Sequence, residues 1–291
     1  MGVGVIAIPE LLGTPQRSTT RFQWTGAGGG ESPARRPGSA RRAVLTICTW
    51  NAPHGLLEFK DGEIHLWRAD LDRSTNALPA LKQTLAPEEL TKAGQFRLER
   101  DRNRYILAHG ALRSILSRYL KTTAGEPMFR YGLQGKPELV SDAVRFNLSH
   151  SHDLVIWAIS RGPDVGVDVE RVRPGVDEDV AGCVSPRALR FLEALPQPAR
   201  RRAFFQAWTR MEAYSKARGE GLKSGLETFE VFLDLSTPGL PPTVGDGGRE
   251  RRWWLQDFAP RRGYAAALAA QGEKCGLTFW KWQPRDRGDS G

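Results

Sequence analysis

The stretch VGVDVERV, residues 165 to 172, alternates valine with glycine and acid. Successive side chains of a strand point to opposite faces, so Asp168 and Glu170 share one face while Val169 between them points the other way. Two like charges placed side by side repel unless something positive stands between them. The chain must either leave that face to solvent or cover it with a cation. Two or three carboxylates, with waters and phosphate oxygens, are a usual way to hold Mg²⁺, a hard ion that keeps octahedral geometry and part of its water shell.

A helix offers further groups of this kind. RRAFFQAWTRMEAYSKA, residues 201 to 217, has helical periodicity and runs into the glycines of RGEGL. At ~100° per residue, Phe204, Ala207, Trp208, Met211 and Tyr214 form one stripe, with Glu212 and Lys216 together at its edge. Such a pair is either an intrahelical contact worth ~0.2 to 0.5 kcal/mol or a carboxylate and an ammonium delivered beside the core. If Glu212 reaches the ion held by Asp168 and Glu170, two elements build one site. FNLSHS, residues 146 to 151, ends a strand in small polar residues and His150. Ser149 and His150 are either packing residues or phosphate contacts, through the hydroxyl and a ring N–H. Lys136 in GKPEL, residues 135 to 139, is either a solvated loop charge or a further phosphate contact.

The rest of the chain sets the frame. Residues 12 to 43 are rich in Gly, Pro, Ser and Arg without an apolar period, so residues 1 to 43 read as a flexible leader and 286 to 291 as a tail. Between them the order strand, helices, strands occurs twice: EIHLWRADLD (63 to 72), helices within 86 to 120 and strands within 143 to 160; then VGVDVERV, helices at 185 to 195 and 201 to 217, and strands in TFEVFLDL, RWWLQDF, YAAALAA and LTFWKW. This predicts an α+β protein of two subdomains, 44 to 160 and 161 to 285. Of the formal net charge of +9, the leader holds +4. The modestly basic remainder suits a polyphosphate ligand or an acidic partner as well as nucleic acid. Cys48, Cys183 and Cys275 are too scattered for a disulfide framework or a zinc cluster. No run approaches the ~18 apolar residues of a spanning helix, and the N-terminus is a poor secretion signal, so the protein reads as cytoplasmic.

In this order, GKPEL, FNLSHS, GVDVE and WTRMEAYSK with its ARGEGL loop resemble the Sfp-type 4′-phosphopantetheinyl transferases. The resemblance spans roughly residues 60 to 285 and departs from the family pattern at Met211, where a lysine is usual. It implies a pseudo-symmetric monomer with the active site in the cleft between its halves. The implied reaction is Mg²⁺-dependent transfer of the phosphopantetheine arm of coenzyme A to a serine of an apo acyl or peptidyl carrier protein, with release of 3′,5′-ADP. Asp168, Glu170 and Glu212 would be the metal ligands, Glu212 the base, and Lys216 the cation at the cleaved phosphate. Lys136, Ser149, His150, Lys92, Arg104 and Lys216 would contact the coenzyme. Neither nucleic acid nor membrane is implied as a partner. The competing readings are a metal-dependent, nuclease-like phosphodiesterase and an impaired family member acting as a binding module.

Overall fold

The computed structural model describes residues 48–53, 57–132, 135–174, 184–219, 232–233, 243–244 and 250–284. The expected leader and tail, together with Cys183 and the glycine loop beyond Gly219, lie outside the described residues.

Strand β1 (Glu63–Asp70) alternates as its sequence demands. Ile64 and Leu66 enter one apolar cluster, Trp67 and Ala69 another. Three short or long helices follow: α1 (Leu78–Lys82), α2 (Pro87–Gly94) and α3 (Glu99–Leu120). Strands β2 (Phe129–Tyr131) and β3 (Pro137–Leu139) pair with each other, and β4 (Arg145–Ser151) runs into β5 (Leu154–Ser160). After β6 (Val165–Arg171) come α4 (Pro186–Glu193) and α5 (Gln197–Arg218). The two-residue strands β7 (Thr243–Val244) and β8 (Glu250–Arg251) precede β9 (Trp253–Phe258), β10 (Tyr264–Gln271) and β11 (Gly276–Lys281).

Two larger sheets stack face to face. One has the order β11-β1-β5-β4, the other β6-β10-β9. Leu66, Ile156, Val165, Val167, Val169 and Leu268 fill the space between them. On the far side of the first sheet, Trp67, Trp157 and Phe146 pack against Leu107, Leu112 and Ile115 of α3. On the far side of the second, Ala265, Ala267 and Ala269 of β10 receive Phe204, Ala207, Trp208 and Met211 of α5. The layers therefore run helix, sheet, sheet, helix, and the α+β class expected from the sequence is the one adopted.

Two features differ from the sequence reading. The last strand, β11, leaves the second run of elements and pairs parallel with β1, Glu63 opposite Gly276 through Arg68 opposite Lys281. TFEVFLDL was expected to be a strand, but its described part, Phe232 and Leu233, is helical. Both residues pack into the α5 core, Phe232 lying 5.8 Å from Tyr214 between ring centroids, and apolar content alone does not distinguish a short buried helix from a strand.

Helix α5 comes unusually close to β6. A Cβ on Gly166 would stand 2.1 Å from the Ala213 carbonyl oxygen and 2.3 Å from the Ala217 nitrogen. Both are backbone atoms, so no side-chain rotation relieves the clash. The helix then stops where Gly219 takes a left-handed conformation, φ 71°, its N–H closing on the Ser215 carbonyl. Gly166→Ala is expected to destabilise the fold by about 3 kcal/mol or more, the cost of overpacking against an unyielding backbone; urea unfolding, read as a lowered midpoint at constant slope, checks it.

Candidate active site

On β6 the valines face the other sheet, so Gly166, Asp168 and Glu170 face α5. The approach at Gly166 sets Lys216, in the last turn of α5, against the strand. Its ammonium donates to Asp168 Oδ1 at 2.6 Å and to Ser149 Oγ at 3.1 Å. Ser149 in turn donates to the same Asp168 oxygen at 2.8 Å. Asp168 is buried, and its second oxygen, Oδ2, has no hydrogen-bond partner. Glu170 and Glu212 are partly buried beside this pair. Glu170 accepts from Ser151 Oγ at 2.7 Å.

Burial and mutual repulsion dominate the electrostatics. Burial, then the Asp168 charge, pushes the Glu170 carboxyl up to about 8. Burial raises Glu212 to about 7, with Lys216 opposing and Asp168 assisting the rise. Asp168 itself is raised by burial against the pull of Lys216. Burial works against the charge of Lys216, but the carboxylates of Asp168 and Glu212 outweigh it and hold the ammonium above its ordinary range. The result is one retained cation among three acids, two of which titrate near neutrality.

The serines that hold these acids come from β4 of the neighbouring sheet. Asn147 Oδ1 accepts from Val167 N at 2.9 Å, Ser149 Oγ from Val169 N at 3.4 Å, and Ser151 Oγ from Arg171 N at 3.1 Å. Sequence reasoning missed Asn147 and Ser151. The signal was present, because three polar residues at every second position, the first two beside Phe146 and Leu148 in a buried strand, require partners on the face they share.

The expected coenzyme contacts do not all face one way: Ser149 meets Lys216, and His150 feels the charges of Lys216 and Arg104 from the opposite face of β4. Ser149 turns inward to Asp168, while strand alternation sends His150 to the opposite face, toward α3. His150 is exposed at the end of β4. Desolvation there, then the nearby charges of His109, Lys216 and Arg104, pushes its imidazole down to about 4, so it is neutral at pH 7. Arg104 grips Asp72 through two hydrogen bonds of 2.9 and 2.8 Å. Lys92 is exposed on α2, its ammonium 5.7 Å from the Tyr105 ring centroid. Lys136 spends its ammonium on the carbonyls of Ala217, 3.1 Å, and Val165, 3.4 Å, joining its hairpin to α5 and β6. Met211 is a core residue under α5, and Arg210 points elsewhere, to Asp257 and the Phe232 carbonyl.

Whether a divalent cation fits is decided by the donors. Among the described residues, no three or more His, Cys, Asp or Glu stand close enough together to hold a metal ion as they are. The chemistry nevertheless suits a hard ion. Asp168 Oδ2 is an orphaned buried acceptor, Glu170 and Glu212 bring further carboxylate oxygens, and the Lys216 ammonium shows that this face binds positive charge.

Comparison with known proteins agrees with this geometry. Residues 164–269, which carry β6, α5 and β10, match the family model of the 4′-phosphopantetheinyl transferase superfamily. The chain is 34% identical over 243 residues to the 4′-phosphopantetheinyl transferase HetI of Nostoc sp. (strain PCC 7120), covering 81% of this chain and 97% of that protein. It is 31% identical to a putative 4′-phosphopantetheinyl transferase of Synechocystis sp., over 62% of this chain and 75% of the relative. It is 30% identical to Sfp of Bacillus subtilis, over 51% and 66% respectively.

The raised carboxyls carry a stability signature. A group whose folded pKa exceeds its unfolded value keeps protons that the unfolded chain has released, so stability falls as pH rises between the two values. For Glu170 and Glu212 that window runs from the ordinary glutamate value of 4.5 to about 8 and about 7. Without divalent cations, Tm is expected to decline from pH 5 to pH 8, and Glu170→Gln to flatten the decline and raise Tm at pH 8. Calorimetry across that range checks it; an unchanged slope in the variant contradicts the assignment.

Proposed function

Because the chain belongs to the 4′-phosphopantetheinyl transferase superfamily, we propose that it transfers the 4′-phosphopantetheine arm of coenzyme A to a serine of an apo carrier protein in a Mg²⁺-dependent reaction. The observation that carries this reading is the buried Asp168–Lys216 pair with its orphaned carboxylate oxygen, flanked by two further carboxyls of raised pKa. Asp168, Glu170 and Glu212 would hold the cation, which when bound supplies charge neutralisation on the diphosphate oxygens.

The side chains have separate tasks. Glu212 would accept the proton of the serine hydroxyl, as the carboxylate that binding of the cation leaves it. The serine oxygen forms a bond to the phosphorus of the arm while the phosphorus–oxygen bond to the departing 3′,5′-ADP breaks. Lys216, kept protonated by its carboxylates, stabilises negative charge on the phosphate being cleaved. On the α2 and α3 side, His150, Arg104 and Lys92 are the proposed contacts to the coenzyme's 3′-phosphate region, the neutral His150 through a ring N–H. Ser149 and Lys136 are proposed as further coenzyme contacts, exchanging their bonds to Asp168 and to backbone carbonyls for phosphate oxygens as Arg104 would exchange its bonds to Asp72.

This reading divides the chain into subdomains 44 to 160 and 161 to 285, with the coenzyme at their seam, although β11 returns to the first sheet. It also carries with it a cytoplasmic monomer whose partner is an acidic carrier domain. Among the described residues no helix is long and apolar enough to cross a membrane.

Incubated with Mg²⁺, coenzyme A and apo acyl and peptidyl carrier proteins, the protein is expected to leave a phosphopantetheine adduct on serine, seen by intact-mass spectrometry. Glu212→Gln should lower the rate at least ~100-fold, the scale of a lost general base, and chelation of Mg²⁺ should abolish the adduct. At subsaturating Mg²⁺ the rate should rise with pH through about 7, where Glu212 of the metal-free protein loses its proton and becomes available to the ion. Absence of the adduct on every carrier tested would overturn the reading.

A further inference from the structure

Strand β6 has a problem at one edge. It pairs with β10 along the other, Asp168 opposite Ala267 and Glu170 opposite Ala265, and the N–H groups of Val167, Val169 and Arg171 point away from that ladder. The first two of these donors are buried, where an amide without an acceptor is costly, and the Arg171 amide lies at the exposed end of the row. The strand alongside, β4, uses its own backbone to pair with β5 and belongs to the other sheet. It meets β6 with side-chain oxygens instead, one at every second residue, and this repeat equals the spacing of the donors it must reach.

The choice of residue along that row follows the residue it faces on β6. Where β6 carries Gly166, the partner of the next amide is Asn147, which touches backbone only. Where it carries Asp168 and Glu170, the partners are Ser149 and Ser151. A hydroxyl has one donor and two acceptor positions, so a single serine accepts from the amide and donates to the carboxylate beside it. Ser151 does both, taking Arg171 N at 3.1 Å and holding Glu170 Oε2 at 2.7 Å. The bond fixes one Glu170 oxygen and leaves the other free to meet a cation.

We propose that Ser151 is a positioning residue for Glu170, and that the Asn147–Ser149–Ser151 row is a surrogate strand that locks the acid-bearing edge of β6 in register for the site. The proposal rests on the metal-dependent reading given above. Ser151 touches no reacting atom and acts through Glu170. Threonine, which keeps the hydroxyl and suits a strand, should replace it, and alanine should not.

The test compares wild-type protein, Ser151→Ala and Ser151→Thr. Mg²⁺ affinity is measured by calorimetric titration, hydrogen exchange at the Arg171 amide by NMR, and transfer by kcat and KM for coenzyme A. Ser151→Ala is expected to bind Mg²⁺ about 10-fold more weakly, the usual cost of losing a group that orients a metal ligand. It should lower kcat while leaving KM for coenzyme A unchanged and exchange the Arg171 amide about 10-fold faster. Ser151→Thr should return all three readouts to within about 2-fold of wild type, a rescue expected of a retained hydroxyl. Wild-type Mg²⁺ affinity or wild-type Arg171 protection in Ser151→Ala, or failure of threonine to restore them, would overturn the proposal. Failure of the functional reading looks different: wild-type protein would then make no adduct, while the Arg171 amide would remain protected by Ser151.

Discussion

The structure turns on a contact between two backbones. Gly166 has no Cβ, and that absence lets α5 lie against β6 with the Ala213 carbonyl and the Ala217 nitrogen in the space a side chain would fill. A helix standing an ångström or two further off would leave Lys216 short of Asp168 and Glu212 away from the strand's acid face. The packing of α5 on the second sheet and the charge cluster both depend on that distance. The role of this glycine is close approach, not backbone conformation: it sits within a regular strand, where any residue's φ would serve.

The same contact collects charge where burial makes it expensive. Three acids share a recess with one ammonium, and the two glutamates are left with pKa values near 8 and 7. A core of apolar residues of equal volume would hold the layers together more strongly. The chain instead accepts a local loss of stability, offset by the large apolar clusters on both sides of each sheet. Such a balance is expected where a site must receive an ion and a polyphosphate and release them again. The serines of β4 limit the loss, since they satisfy backbone donors and acid oxygens with the same hydroxyls.

Much of this was legible in the sequence, for reasons tied to periodicity. A repeat of two placed Asp168 and Glu170 on one face, and a repeat of 3.6 placed Glu212 and Lys216 together at the core's edge; the structure brings these elements face to face. The same repeat of two should have separated Ser149 from His150, which are adjacent in a strand and so point to opposite layers. The sequence leaves Lys136 between a solvated loop charge and a phosphate contact; the carbonyls of α5 and β6 that it meets are far away in sequence and visible only once the chain is folded. The parallel pairing of β11 with β1 and the helical state of Phe232 are likewise tertiary outcomes, set by which face each segment buries and not by its own composition.

The central claim is that α5 and β6 meet to make a site whose acids exchange their protons for a divalent cation. Calorimetric titration of Mg²⁺ at pH 7, in two buffers of very different ionisation enthalpy, tests it most directly. The account predicts saturable binding whose apparent enthalpy shifts between buffers in the direction of proton release, because Glu170 and Glu212 are largely or partly protonated there before the ion arrives. Binding with the same enthalpy in both buffers, or no binding at millimolar Mg²⁺, would contradict it.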